Sequence, residues 1–359
     1  MKKIYSLLAS VALMSAFTAC SSDDEMPSQM ANVNGTELTV ETVGVAGVNT
    51  KSGITANAFT NGEKLGLYIY RGSDDAAIDA ENRKYNDATS TGLKPTENVP
   101  YDQTASGWTA TQKIILSNVQ GTVYAYYPYA ASNTDATRLT IPISVAADQG
   151  DGQTDGVKDY TDQNQYDYMW ATPVTGRSNM KPKANLTMNH ALAMISFKFV
   201  QTDDPTVLYP GLGNVTKIEL KNKSGKSAIK TGDATMSIKD GSLNLTSAVA
   251  TSSIVLQPTE NPLINETAAA KLPRLLLYPN SGVAADDAEV TFTVDGNNYT
   301  LAIPALNDGW TRGNNYLYTI TLKGTALEIS NVTITQWNDM TGNTDDMDVV
   351  TPDGADQNP

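Results

Sequence analysis

One cysteine and one histidine in 359 residues remove most metal and disulfide chemistry at once. Cys20 alone cannot form a disulfide within the chain, so noncovalent packing must hold the fold. His190 alone cannot build a zinc site and has no second cysteine to help it. No Gly-x-Ser-x-Gly elbow supplies a nucleophile for His190 to activate, so the residue reads as a packed or hydrogen-bonded structural histidine. Paired carboxylates for glycoside hydrolysis stay open, because acids are abundant and their separation is not written in a sequence. Basic charge is also short, with 25 Lys and Arg against 39 Asp and Glu and a formal net charge of -14. So acidic a surface argues against nucleic acid and anionic lipid headgroups as partners. Long apolar runs are missing too. The longest, Ile4 to Phe17, is well short of the roughly 20 residues a membrane-spanning helix needs.

That run belongs to an N-terminal export leader, residues 1–19, which opens on Lys2 and Lys3 and ends in small residues. Loss of the leader takes both lysines and no acids, leaving a mature charge of about -16. Cys20 follows directly, at the position where bacterial lipoproteins are cleaved and acylated, and is the candidate lipidation site. Residues 20–35 carry Asp23, Asp24 and Glu25 with little to bury, and read as an acidic tether.

The remaining sequence repeats with a period of two. Leu65, Leu67 and Ile69 share one strand face; Val123, Ala125, Tyr127 and Tyr129 share another; Ala193, Ile195, Phe197 and Phe199 a third. Short strands of this kind between Gly, Asn, Asp and Pro clusters predict an all-β protein of antiparallel sandwiches. No apolar stripe at helical spacing is long enough to predict a helix. The segment from Gly72 to Ser106 reads as a long polar connection with at most one hairpin near Lys84 and Tyr85. A second polar run covers 146–165. The mature length exceeds what one core usually organises, and Pro173, Gly176 and Pro182 interrupt the strand pattern. The expected division is therefore an N-terminal sandwich over 36–180, a C-terminal sandwich over 181–337, and an acidic tail over 338–359.

Several landmarks occur in one order: the lipoprotein leader, Phe59-x-x-Gly62-Glu-Lys-Leu-Gly66-Leu-Tyr68, Gly107-Trp108, and Val123-Tyr-Ala-Tyr-Tyr-Pro-Tyr129. Tyr168-Met-Trp-Ala171, Asn189-His-Ala-Leu-Ala193 and a last strand ending in Thr-Gln-Trp337 complete the series. This series resembles the fimbrillin family of Bacteroidetes, the subunits and accessory proteins of type V pili. The resemblance implies two transthyretin-like β-sandwich domains, export to the outer membrane and cell surface as a lipoprotein, and partners that are other pilus subunits. The acids after Cys20 resemble the surface-export signal of Bacteroidetes lipoproteins. The resemblance further implies that a protease cuts after a basic residue beyond the first strand, and that a neighbouring subunit's C-terminal segment fills the opened groove.

Carried onto this chain, the first strand is Glu37 to Val43, the cut falls at Lys51, and the groove lies beside Leu65, Leu67 and Ile69. No arginine stands between the first strand and Arg71, so an arginine-specific protease would not make that cut. The tail differs as well: Met347, Val349 and Thr351 form one face of a very short strand among six aspartates. Burying unpaired carboxylates there would cost several kcal/mol each. The donor then includes part of the strand before Trp337, or this subunit does not donate. No cofactor is expected. One candidate calcium loop, Asp151, Asp155, Asp159 and Asp162, has twelve-residue spacing with Gly156 at its turn but no flanking helix pattern. The alternative function is a monomeric lipid-anchored adhesin or glycan-binding sandwich using the 146–165 loop and a host or bacterial surface receptor.

Overall fold

The computed structural model describes residues 35–46, 59–72, 85, 96–133, 139–150, 165–250, 253–258, 262–265, 272–337 and 348–350. Every regular element among them is a β-strand. The largest sheet follows from the period-two pattern of Lys64–Arg71 and Gly121–Tyr127, which pair antiparallel at its centre. Both strands are buried on both faces. Leu65, Leu67, Ile69, Val123, Ala125 and Tyr127 enter one hydrophobic core. Tyr68, Tyr70, Tyr124 and Tyr126 enter a second, larger one. The sheet is thus a shared wall, and the alternation that puts aliphatics on one side puts tyrosines on the other. Gly66 makes the close packing feasible, since a Cβ there would lie 2.1 Å from the Tyr126 ring. Gly62, at φ +98°, takes the turn into the strand in a conformation other residues avoid.

The order across this sheet is Thr39–Val45, Lys183–His190, Met169–Ala171, Gly121–Tyr127, Lys64–Arg71, Val99–Thr104 and Gly107–Thr109, with Val174–Arg177 also on Gly121–Tyr127. The larger core lies between further sheets. A five-stranded sheet runs Arg274–Leu277, Ala193–Gln201, Asn314–Lys323, Ala326–Gln336 and Asp348–Val350. A four-stranded sheet runs Ser253–Leu256, Val215–Asn222, Ala288–Val294 and Asn297–Ala302. Their faces meet through aromatic rings: Phe197 and Phe199 approach Phe292 edge-on at 5.3 and 5.2 Å.

Three features depart from the period-two reading. Among the named strands, two pairs are parallel, Thr39–Val45 with Lys183–Met188 and Ala193–Gln201 with Asn314–Lys323. The connection read over Gly72 to Ser106 contains the strand Val99–Thr104, bonded on both sides. Pro100 hid it: the proline interrupts the pattern, yet Val99 and Tyr101 are buried like any alternating pair. Strands also cross residue 180, since Lys183–His190 joins the largest sheet while Thr140–Val145 pairs with Lys230–Ser237. Asn34–Pro359 is one compact unit.

One turn shows a carboxylate fixing a loop. Asp295 accepts hydrogen bonds from the N–H groups of Gly213 and Asn214 and from the Tyr209 hydroxyl, all at 2.8 to 2.9 Å. Partial burial alone would raise its pKa, but these donors outweigh it and hold the carboxyl below its usual range. A depressed folded pKa means the stabilisation is present above the unfolded value and is lost as pH falls through the folded one. Asp295→Asn is therefore expected to lower stability by about 1 kcal/mol at pH 7. In denaturant melts the gap to the unmodified chain closes as pH drops below about 4.

Candidate functional site

The first strand is bonded at both ends but to different neighbours. Thr36 and Glu37 pair antiparallel with Leu116 and Ile115, and the Leu38 N–H donates to the Ile114 carbonyl at 2.8 Å. Thr39–Val45 then runs parallel to Lys183–Met188, the ladder closing with the Thr39 N–H on the Pro182 carbonyl and the Ala46 N–H on the Met188 carbonyl. Thr39–Val45 also lies beside Gly107–Thr109, the strand at the opposite end of the sheet order. The sheet curls round until its two ends meet, and the first strand closes the seam.

Its side chains explain why it stays. Leu38, Val40, Val43 and Val45 are each at most 5% exposed, and they share a core with Leu65, Leu67, Ile69, Ala184, Leu186 and Met188. Burial of a Val or Leu side chain contributes about 1.5–3 kcal/mol. The Tyr101 hydroxyl donates to the Leu38 carbonyl at 3.1 Å, and burial, followed by the Glu37 charge, pushes its pKa well above the usual range. Two exposed ion pairs flank the strand, Glu37 with Lys113 at 2.7 Å and Glu41 with Lys183 at 2.6 Å. Exposed pairs of this kind contribute little energy and help to set register.

The structure places Leu65, Leu67 and Ile69 in the same hydrophobic core as the first strand, while the edge that bonds that strand is Lys183–His190. That edge was missed from sequence. Ala184, Leu186 and Met188 do alternate, but the run follows Pro182 and reads as the start of the next domain. Cys20, Lys51 and the four aspartates of the calcium-loop candidate lie outside the described residues. Among the described residues, no group of three or more His, Cys, Asp and Glu side chains gathers. The tail contributes Asp348–Val350, paired antiparallel with Val332–Ile334 at the edge of the five-stranded sheet.

His190 ends the edge strand and is 3% exposed. Its Nδ1 meets both carboxylate oxygens of Asp167, at 3.1 and 2.9 Å. Its ring stacks on Trp337 with centroids 3.7 Å apart and planes within 7°. Burial pushes the Asp167 carboxyl up, and the histidine opposes that shift through its charge and its hydrogen bond. His190 Nε2 has no partner among the described residues, so no hydroxyl nucleophile is bonded to it there. Two landmarks far apart in sequence, Asn189-His190 and the Gln336-Trp337 end, are thus one buried contact joining Lys183–His190 to the end of Ala326–Gln336.

A family model described as fimbrillin-like matches residues 31–337. A protein of Bacteroides uniformis named as a fimbrium subunit, Fim1C, is 25% identical over 335 residues, covering 91% of this chain and 92% of the relative. A crystal structure from Bacteroides ovatus, described as a cell adhesion protein, superposes with a TM-score of 0.57 at 18% identity over 82% of this chain and 95% of that one. Another so described, from Bacteroides uniformis, gives 0.54 at 21% identity over 78% and 93%. These likenesses to solved structures concern the fold.

Proposed function

Because the chain belongs to the fimbrillin-like family, we propose that it is a structural subunit or accessory of a cell-surface fimbrium that assembles by strand exchange at the seam closed by residues 36–46. The observation that carries this reading is the position of the first strand. It is an edge strand with one long backbone neighbour, and four buried side chains hold it to the body. Its removal would leave unpaired backbone along Lys183–His190 and an apolar trough floored by Leu65, Leu67 and Ile69. A strand from another chain supplies both missing items, with no chemistry beyond the cut.

Acylation at Cys20 anchors the exported chain in the outer membrane, and the cut at Lys51 frees the first strand. The two hydrophobic cores support a description as two sandwich domains, with the largest sheet as the wall between them. The relative named as a fimbrium subunit supports other pilus subunits as partners.

The test is mass spectrometry of chains taken from assembled fibres on cells. A chain beginning at Ser52, without residues 36–46, is expected. A fibre built of chains that still begin at acylated Cys20 would refute the proposal.

A further inference from the structure

We infer that the seam selects its incoming strand by a bulged apolar spacing, and that the strand comes from a different polypeptide chain and not from this chain's tail. The inference rests on the strand-exchange reading above and adds the sequence class of the partner.

The spacing is visible in the strand now in place. Along the edge, Ala184, Leu186 and Met188 alternate regularly and face Val40, Val43 and Val45. The inserted strand does not alternate regularly, because the register shifts between Ala184 and Asn185 and leaves Glu41 opposite no residue. Such an extra residue bends a strand and increases its twist. Here the extra residue lies two positions after the change of neighbour, which falls between Leu38 and Thr39. Thr39 and Val40 before Glu41, and Thr42 to Val45 after it, all follow Lys183 to Met188; only N-terminal to Thr39 does the chain reach Ile114, Ile115 and Leu116. The extra residue lets Leu38 and Val40 on one side of it and Val43 and Val45 on the other all enter the core.

The occupant therefore needs apolar residues spaced two, three and two apart, as Leu38, Val40, Val43 and Val45 are. Charge adds a second condition. Lys113 and Lys183 face Glu37 and Glu41, so acids suit the position before the first apolar residue and the extra residue itself.

The tail does not fit this requirement. In residues 338–359, no window with that spacing places Val, Ile, Leu or Met at more than two of its four positions. The spacing does recur at Leu327, Ile329, Val332 and Ile334, but that strand is paired along Asn314–Lys323 and is committed to this chain's own sheet. Apart from residues 35–46, which the cut releases from the subunit, neither the tail nor Leu327 to Ile334 of a second copy offers this pattern free, and the partner is a chain that carries one.

The experiment uses the full chain with a specific protease site placed between residues 46 and 59 and cut after folding, so that the first strand is held without a covalent link. Three labelled peptides compete for the seam: residues 35–46, the same peptide without Glu41, and residues 338–359. Exchange is followed by fluorescence anisotropy and native mass spectrometry. The 35–46 peptide is expected to enter, the peptide lacking Glu41 to bind at least about tenfold more weakly (a tenfold change is 1.4 kcal/mol), and the tail peptide to stay out. Equal binding of the first two overturns the spacing while leaving strand exchange intact. Entry of the tail peptide overturns the assignment of the partner to another chain. Exclusion of all three removes the exchange reading and this inference together.

Discussion

A chain lacking residues 36–46 is expected not to persist as a folded monomer. Four side chains leave the core with that strand, and at about 1.5–3 kcal/mol each their burial is comparable to the 5–15 kcal/mol by which a typical domain is stable. The sum is an upper bound, because unfolded chains already bury part of their apolar surface. It is still large enough to decide the outcome. The backbone adds to it: Lys183–His190 loses its parallel partner, and Tyr101 loses the Leu38 carbonyl. Size-exclusion chromatography with thermal melting is the check. The expected result is association or loss of the cooperative transition, reversed by adding the missing strand as a peptide. A monomer with an unchanged melting temperature would mean the first strand is an ornament on a body complete without it. Val43→Asp is a smaller form of the same test, since it places an unpaired carboxylate opposite Leu186 in the core.

The second large effect is expected at the buried contact between His190, Asp167 and Trp337. Trp337→Ala removes a 1% exposed indole and should cost about 3–5 kcal/mol. His190→Ala should cost a similar amount, about 3–5 kcal/mol, for a different reason: it leaves the Asp167 carboxyl buried without its partner. The pH dependence separates the two. In the unmodified chain, burial raises the Asp167 pKa and His190 opposes the rise. Without the histidine only the upward cause remains. A raised carboxyl pKa gives stability that is fully present below the unfolded value and is lost as pH rises through the folded value. The deficit of His190→Ala is therefore expected to grow as pH increases from about 4 toward neutrality, while that of Trp337→Ala stays nearly flat. Urea melts at several pH values measure both. A His190→Ala deficit independent of pH would show that the ring acts only as filler against Trp337.

The strands of this protein were legible where their alternation was unbroken. Leu65 to Ile69 and Val123 to Tyr127 read directly, because a sheet wall buried on both sides still separates aliphatics from tyrosines. Val99–Thr104 did not read, since Pro100, opposite Gly66 in the ladder, stands where a strand is not expected. Parallel pairing was invisible for a general reason: alternation fixes which face a side chain takes, not the direction of the neighbouring strand. That loss matters at the seam. The shared face of Leu65, Leu67 and Ile69 could be read from their spacing, but the edge that bonds the first strand lies about 140 residues further along, a long-range pairing that no local pattern encodes. His190 was correctly read as a packed residue. Its partners were not readable, because Asp167 and Trp337 come to it from separate strands' ends. The extra residue at Glu41 left one trace in the sequence, the step from Val40 to Val43 where two residues intervene instead of one.

In the proposed assembly, the seam beside Lys183–His190 holds this chain's own first strand before assembly and another chain's strand afterwards. The most direct measurement is the structure of an assembled fibre containing this subunit. The account predicts density for a foreign strand bonded along Lys183 to Met188, with apolar side chains over Leu65, Leu67 and Ile69, and no residues 36–46 of the same chain in place. Finding Thr39–Val45 still paired with Lys183–Met188 inside the fibre would contradict it.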